Sequence, residues 1–251
     1  MSDAYVTIDK AENGLATIEF FHPKHNSLPS DILAKLAQTI TEAGEDDAVK
    51  LIVLKSGGDR TFCAGASFDE LISIEDYPTG KEFFMGFARV INACRKCPKL
   101  IIGRVQGKAV GGGVGVASAV DYCLATKFSS IKLSELNIGI GPFVVGPAVE
   151  RKVGVSAMSQ MTINADEFYS PEWAKAKGLY ADVLDSAEEL DAEVDKLANY
   201  LLSKNPEAQA ELKKVFWRGC EDWDNLLESR AELSGKMVLS SYTKEILAKY
   251  A

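Results

Sequence analysis

Apolar and polar residues alternate twice near the start of the chain, in Tyr5-Val-Thr-Ile and in Ala16-Thr-Ile-Glu-Phe-Phe21, with Glu12-Asn-Gly-Leu15 between them. A period of two predicts half-buried strands, and Asn-Gly predicts the tight turn of a hairpin. From Pro29 to Gly44 the period lengthens. Ile32, Leu33, Leu36, Ile40 and Ala43 recur at helical spacing, which predicts a helix ending in glycine. Lys50 to Leu54, with its Leu-Ile-Val-Leu run, then predicts a compact buried strand. Strand, helix and strand in this order imply parallel pairing through a crossover. The alternation continues: Lys81 to Cys97 reads as helix, Leu100 to Val105 as strand, Gly111 to Val120 as helix and Tyr122 to Ala125 as strand. From about Pro171 helices dominate, over Ala187 to Ser203, Pro206 to Gly219 and a long stretch from Trp223 to Tyr250. There Trp223, Leu226, Leu227, Arg230, Leu233 and Met237 repeat at three and four. Such a stripe needs a covering surface, from the α/β body or from another subunit. The expected class is therefore α/β, with a layered body over residues 1–185 and a helical region over 186–251. No internal repeat or low-complexity linker stands out.

Composition narrows the function classes. The 251 residues are 47% hydrophobic and 25% charged, within the globular range. With 36 acidic against 28 basic residues the formal charge is -8, which offers no long-range attraction to polyanions and argues against nucleic acid as a partner. Lysines clustered locally can still hold the phosphates of a small ligand. Met1-Ser-Asp-Ala-Tyr5 lacks the basic and apolar regions of a signal peptide, and no apolar run approaches the length of a membrane span. A cytoplasmic protein is expected, with its five cysteines reduced.

Three segments carry candidate chemistry. Thr61-Phe-Cys-Ala-Gly-Ala-Ser-Phe-Asp-Glu-Leu71 follows a predicted strand. Its small residues at 64 to 66 would let a ligand approach the backbone amides; they equally suit a tight strand-to-helix turn. Gln106-Gly-Lys-Ala-Val-Gly-Gly-Gly-Val-Gly-Val-Ala117 enters a predicted helix through glycines. Unpaired N–H groups and the helix dipole there favour an oxyanion, although close packing of a glycine-faced helix on a sheet reads as well. Neither a G-x-G-x-x-G register nor a Gly-Lys-Ser/Thr follows, so nucleotide-phosphate loops are disfavoured. In Lys132-Leu-Ser-Glu-Leu-Asn-Ile-Gly-Ile-Gly-Pro142, Glu135 sits among apolar residues. A carboxylate in a low dielectric is raised towards neutrality and suits proton transfer; a solvated surface glutamate is the plainer reading.

In their order and spacing these segments resemble the enoyl-CoA hydratase/isomerase (crotonase) family. Ala64-Gly-Ala-Ser-Phe-Asp-Glu-Leu71 is similar to its Ala-Gly-Ala-Asp-Leu turn, and Gly107-Lys-Ala-Val-Gly-Gly-Gly113 to its Gly-x-Ala-x-Gly-Gly-Gly entrance. Ser134-Glu-Leu-Asn-Ile-Gly-Ile-Gly-Pro142 is similar to its Pro-Glu-x-x-x-Gly-x-x-Pro segment, and Pro23-Lys-His-Asn-Ser-Leu28 and Ala174-Lys-Ala-Lys-Gly-Leu179 extend the likeness over residues 5 to 185. The resemblance implies a spiral of ββα turns that binds an acyl-CoA thioester, with C-terminal helices that cover the CoA site and assemble trimers or dimers of trimers. It implies no permanently bound cofactor, coenzyme A being part of the substrate. The backbone N–H groups of Ala66 and Gly112 would form an oxyanion hole, and Glu135 would transfer protons. Lys24, Ala64, Ser67 and Phe68 would hold the CoA nucleotide, and Gly111, Gly115, Pro142 and Phe143 would line the acyl pocket.

The sequence departs from the family at two places. Gly115 stands where a second catalytic glutamate belongs, and Phe143-Val-Val145 replaces small residues after Pro142. The first leaves one-base chemistry intact but removes half of two-carboxylate hydration. The second narrows the pocket towards short or branched acyl groups, in the manner of bacterial methylglutaconyl-CoA hydratase-like proteins. The expected activity is enoyl-CoA hydratase/isomerase chemistry through a thioester enolate; the alternatives are a decarboxylase or thioesterase on the same scaffold, or a catalytically weak acyl-CoA-binding protein. No metal is expected: Cys94-Arg-Lys-Cys97 and His22-Pro-Lys-His25 offer zinc-type donors but lie about seventy residues apart, with the cysteines ending a predicted helix. No G-x-S-x-G nucleophile elbow occurs.

Overall fold

The computed structural model describes residues 3–249. Met1 and Ser2, and Tyr250 at the end of the last predicted helix, lie outside the described residues. A six-stranded sheet contains β1 (Tyr5–Lys10), β2 (Leu15–Phe21), β4 (Leu51–Ser56), β7 (Leu100–Val105), β9 (Tyr122–Thr126) and β11 (Asp182–Leu184), in that spatial order. Only the β1–β2 hairpin is antiparallel, turning through Gly14 at φ +93°. Shorter strands form a second layer: β3 (Ser27–Leu28) pairs with β6 (Gly65–Ala66), while β8 (Lys108–Val110) lies between β5 (Thr61–Cys63) and β10 (Ile131–Lys132), all parallel.

The chain winds through these layers in four similar turns. Each turn lays down a long strand (β2, β4, β7, β9), then one or two short ones, then a helix. The helices are α1 (Ser30–Glu45), α3 (Tyr77–Lys96), α4 (Gly112–Ala119) and α5 (Gly146–Ile163), with a short α2 (Phe68–Ile72) preceding α3. The fold is thus the ββα spiral that the family resemblance implied. The repeat was invisible in the residues because each turn requires only a burial pattern, which different side chains satisfy.

Burial explains the unbroken apolar strands. Ile52, Leu54 and Ile101 face the main core under the helices, while Leu51, Val53, Leu100 and Ile102 face the other way. That second face is covered by Leu190, Val194 and Ala198 of α7 (Ala187–Leu202). Both faces are dry, so both residue parities are apolar. Beyond α6 (Pro171–Ala176), β11 and α7 the chain finishes with α8 (Pro206–Phe216), α9 (Trp223–Met237) and α10 (Ser241–Leu247). The body covers Trp223 and Leu227 of α9 together with Ala231, Ser234 and Gly235, while Arg230 and Met237 of the predicted stripe are exposed; the helix packs along α3, and Lys81 binds Glu228 and Glu232 across the seam at 2.7 and 2.9 Å.

Two expectations need correction, and one helix went unread. Gly44 does not end α1, which runs on to Glu45; a Cβ at Gly44 would lie 3.0 Å from the Cys97 sulfur, so close packing is what requires glycine. The long terminal helix is two helices, because the Ser240 hydroxyl accepts the N–H of Thr243 and starts α10 afresh. Helix α5 carried no clear periodic signal, being kinked at Gly154, where φ is +75°. Among the described residues no helix is long and apolar enough to cross a membrane.

Candidate active site

The short strands deliver three loops to one place. A Cβ on Gly65 in β6 would lie 3.3 Å from the Val110 oxygen at the end of β8 and 3.7 Å from the Gly112 nitrogen. Gly111, between β8 and α4, donates its N–H to the Lys132 oxygen of β10 at 2.8 Å. It adopts φ +53°, ψ −116°, a conformation open to glycine. A Cβ there would also come within 3.1 Å of Glu135 Oε1. The three segments singled out in the sequence therefore converge, around a cavity of about 330 Å³.

Ala64, Ala66, Phe68, Gly111, Gly112, Glu135, Pro142 and Phe143 all line this cavity. Gly112 is the first residue of α4, so its N–H has no acceptor one turn back and stands at the positive end of the helix dipole. Behind it the Phe87 ring packs so closely that a Cβ at Gly112 would fall 2.2 Å from Cζ. Gly112 is thus fixed between ring and cavity. Phe83 and Phe84, also from α3, and Ser234 of α9 complete the wall.

Glu135 opens a short 3-10 helix, Glu135–Ile138. The residue as a whole is half-buried, yet its Oε2 is shielded from solvent and has no hydrogen-bond partner. Burial pushes the carboxyl up to about 7, against a smaller downward pull from the N–H groups of Glu135 and Ser134. Glu135 is the sole ionisable side chain among the cavity-lining residues. A carboxyl poised near neutrality, facing backbone donors across an apolar cavity, is equipped to move protons on carbon next to a carbonyl.

The sequence pattern of enoyl-CoA hydratase/isomerase matches residues 10–248. The chain belongs to the enoyl-CoA hydratase/isomerase family. It is similar to the crotonyl-CoA hydratase of Syntrophomonas wolfei, 29% identical over 96% of this chain and 92% of that protein. It is 30% identical to human mitochondrial methylglutaconyl-CoA hydratase over 78% of this chain and 58% of that protein. Among solved structures, an enoyl-CoA hydratase from Mycobacterium avium superposes with a TM-score of 0.86 at 26% identity, covering 99% of this chain and 96% of that one.

Three of the residues named from the sequence stand outside the lining of this cavity. Gly115 does not line the cavity, because the side chain of Val145, which does, stands over it: a Cβ at Gly115 would meet Val145 Cγ1 at 2.5 Å. The place expected for a second glutamate is filled by a methyl group. Ser67 does not line the cavity either; its hydroxyl accepts the Glu70 N–H at 3.3 Å and caps α2. Lys24 lies on the surface, ion-paired with Asp69.

Other contributors escaped the sequence reading. Asn26, at φ +55° and 2% exposed, donates through Nδ2 to the Gly57 and Thr61 oxygens at 2.8 Å, and its backbone oxygen accepts the Ala64 N–H at 3.1 Å. It thereby holds the 61–66 strand-turn in place. Its signal, an Asn next to Ser27-Leu28, is too common to read. Phe83, Phe84 and Phe87 were not singled out within the predicted helix; the structure sets Phe87 against Gly112 and all three in the cavity wall.

Proposed function

We propose that this protein is an enoyl-CoA hydratase/isomerase for short or branched enoyl-CoA substrates, working through one acid–base group and suited to double-bond migration above water addition. The thioester oxygen accepts hydrogen bonds from the N–H groups of Ala66 and Gly112, at the mouth of α4. The Glu135 carboxylate removes a proton from C2 of a 3-enoyl thioester. The electron pair spreads through the dienolate onto that oxygen, and Glu135 returns the proton to C4 to give the 2-enoyl thioester. No water is consumed and no second base is required. A fixed backbone donor in such a hole is worth about 10²–10³ in rate.

The observation that carries this reading is Glu135, a lone carboxyl held at about 7 in an apolar cavity. A general base titrating near neutrality combines adequate basicity with the right protonation state. Val145 over Gly115 supports the preference for isomerisation, since it leaves no second group there to hold a water. The same observation favours decarboxylation of an acyl-CoA as a second reading, because loss of carbon dioxide yields the enolate without a base; thioester hydrolysis is the other alternative on this scaffold.

Coenzyme A enters as part of the substrate, its arm passing Ala64 and Phe68, with Lys24 close to the phosphates. We assign residues 186–251 to covering the site and to assembly as a homotrimer or dimer of trimers. The packing of Ser234 into the cavity wall and the hydrogen bond from Lys244 to the Ile74 oxygen support the covering role. The decisive test incubates the protein with 3-enoyl-CoA, crotonyl-CoA and 3-methylglutaconyl-CoA, with products followed by mass spectrometry. Isomerised 3-enoyl-CoA that disappears in Glu135→Gln supports the proposal. Turnover unaffected by Glu135→Gln overturns it, while carbon dioxide as product supports the second reading and free CoA supports thioester hydrolysis. Tight CoA-ester binding without turnover marks a binding protein.

A further inference from the structure

A second pocket, of about 480 Å³ and open to the surface, adjoins the first; Met158 lines it with Leu136, Glu150, Arg230 and Met237, all four of them exposed. The two cavities share four lining residues, Ile140, Gly141, Pro142 and Phe143, and otherwise have separate walls. Phe143 is the one large side chain in this partition that can be removed without touching the 3-10 helix of Glu135, since the Ile140 N–H is bonded to the Glu135 oxygen at 3.1 Å. The partition is held in a defined shape. The Phe143 N–H donates to the Gly141 oxygen at 2.7 Å, the Gly146 N–H donates to the Pro142 oxygen at 2.8 Å, and the ring folds back over Gly141. A Cβ on Gly141 would fall 2.5 Å from the ring's Cζ, so glycine there is a condition of the ring's position.

We propose that the Phe143 ring, seated on Gly141, is the acyl-length stop of this enzyme, and that the second pocket is space a longer acyl chain would occupy once the ring is gone. The inference rests on the acyl-CoA reading of the first cavity and deepens it. The chain enters past Ala66 and Gly112 and runs along the phenylalanines of α3 until it meets Phe143. Each methylene that a pocket accepts or refuses changes specificity by about 10-fold or more. A ring that blocks several methylenes therefore sets a sharp limit. Leu136, Met158 and Met237 give the second pocket apolar surface that suits a hydrocarbon tail, and Arg230 and Glu150 add charge that does not.

The test measures equilibrium binding of butyryl-CoA and decanoyl-CoA, which need no turnover, to the wild-type protein, Phe143→Ala and Gly141→Ala. Wild type is expected to prefer butyryl-CoA. Phe143→Ala should bind decanoyl-CoA at least about 10-fold more tightly relative to butyryl-CoA than wild type does. Gly141→Ala, which displaces the ring and leaves it present, should move the preference in the same direction. A third variant, Phe143→Ala with Met158→Trp, refills the second pocket and should restore the short-chain preference. An unchanged butyryl/decanoyl ratio in folded Phe143→Ala and Gly141→Ala overturns the stop; if either fails to fold, the other decides by the same ratio. Turnover of 3-enoyl-CoA by wild type is scored separately: its absence alongside a shifted ratio refutes the isomerase reading and leaves the stop standing.

Discussion

Glu135→Gln separates the two consequences of burying a carboxyl, one for stability and one for catalysis. In the unfolded chain this group titrates near 4.5, and in the folded protein at about 7. Below 4.5 both states hold the proton and the residue contributes no pH dependence. As pH rises above that value the unfolded chain releases its proton first, so unfolding is favoured progressively until the folded carboxyl also ionises at about 7. At 1.36 kcal/mol per pKa unit, the interval costs the wild type about 3 kcal/mol by pH 8. Glutamine escapes this cost. Its own buried amide adds a penalty of about 1–3 kcal/mol that does not vary with pH. The quantity to measure is therefore the difference in unfolding free energy between Glu135→Gln and wild type, from urea titrations at pH 5 and pH 8. It should shift in favour of the variant by roughly 2–3 kcal/mol across that range, because the wild type is already partly penalised at pH 5. Isomerisation should fall by about 10²–10⁴, and wild-type kcat/KM should rise with pH through about 7. A stability difference that is flat between the two pH values would refute the buried, raised carboxyl on which the mechanism depends.

Gly115→Ala should destabilise by about 1–2 kcal/mol in denaturant titration, the overpacking against Val145 exceeding the gain in helix propensity. Combining it with Val145→Gly should cost at least about 1 kcal/mol less than the sum of the single changes, as expected for residues in direct contact. Gly115→Glu with Val145→Gly should raise water addition to crotonyl-CoA above the wild-type level, read by loss of enoyl absorbance; no gain would mean that position 115 does not reach the reacting carbon. Gly111→Ala, forced to adopt positive φ beside Glu135 Oε1, should lose about 1–3 kcal/mol of stability together with most activity. Lys24→Ala should leave stability within about 0.5 kcal/mol, since its pair with Asp69 is exposed, and raise KM for the CoA ester in steady-state kinetics.

Much of the site was legible because it is made of backbone. A glycine that must turn at positive φ, as at Gly111, or accept a phenyl ring at its Cα, as at Gly112, leaves a mark on the sequence that no other residue can replace. Glu135 was visible as an acid in apolar company. Less legible were groups whose role depends on what packs against them. The Ser67 hydroxyl caps α2, a use that its reading as a CoA contact did not include. Asn26 gave no sign of bracing the loop at Ala64.

By itself the sequence determined the α/β alternation, the compact buried strand at Lys50 to Leu54, the three segments that come to line the cavity and the absence of a glutamate at position 115. These are local properties, set by periodicity, by the steric needs of glycine and by residue identity. Tertiary structure decided what stands in the missing glutamate's place. Val145 is 30 residues away along the chain, and nothing in the sequence announces that its methyl group lies over Gly115. It also decided that Oε2 of Glu135 is out of water while the residue as a whole is half-buried, and that Ile140, Gly141, Pro142 and Phe143 line both pockets. Enclosure depends on contacts between distant segments, whose geometry appears only when the four turns of the spiral are stacked.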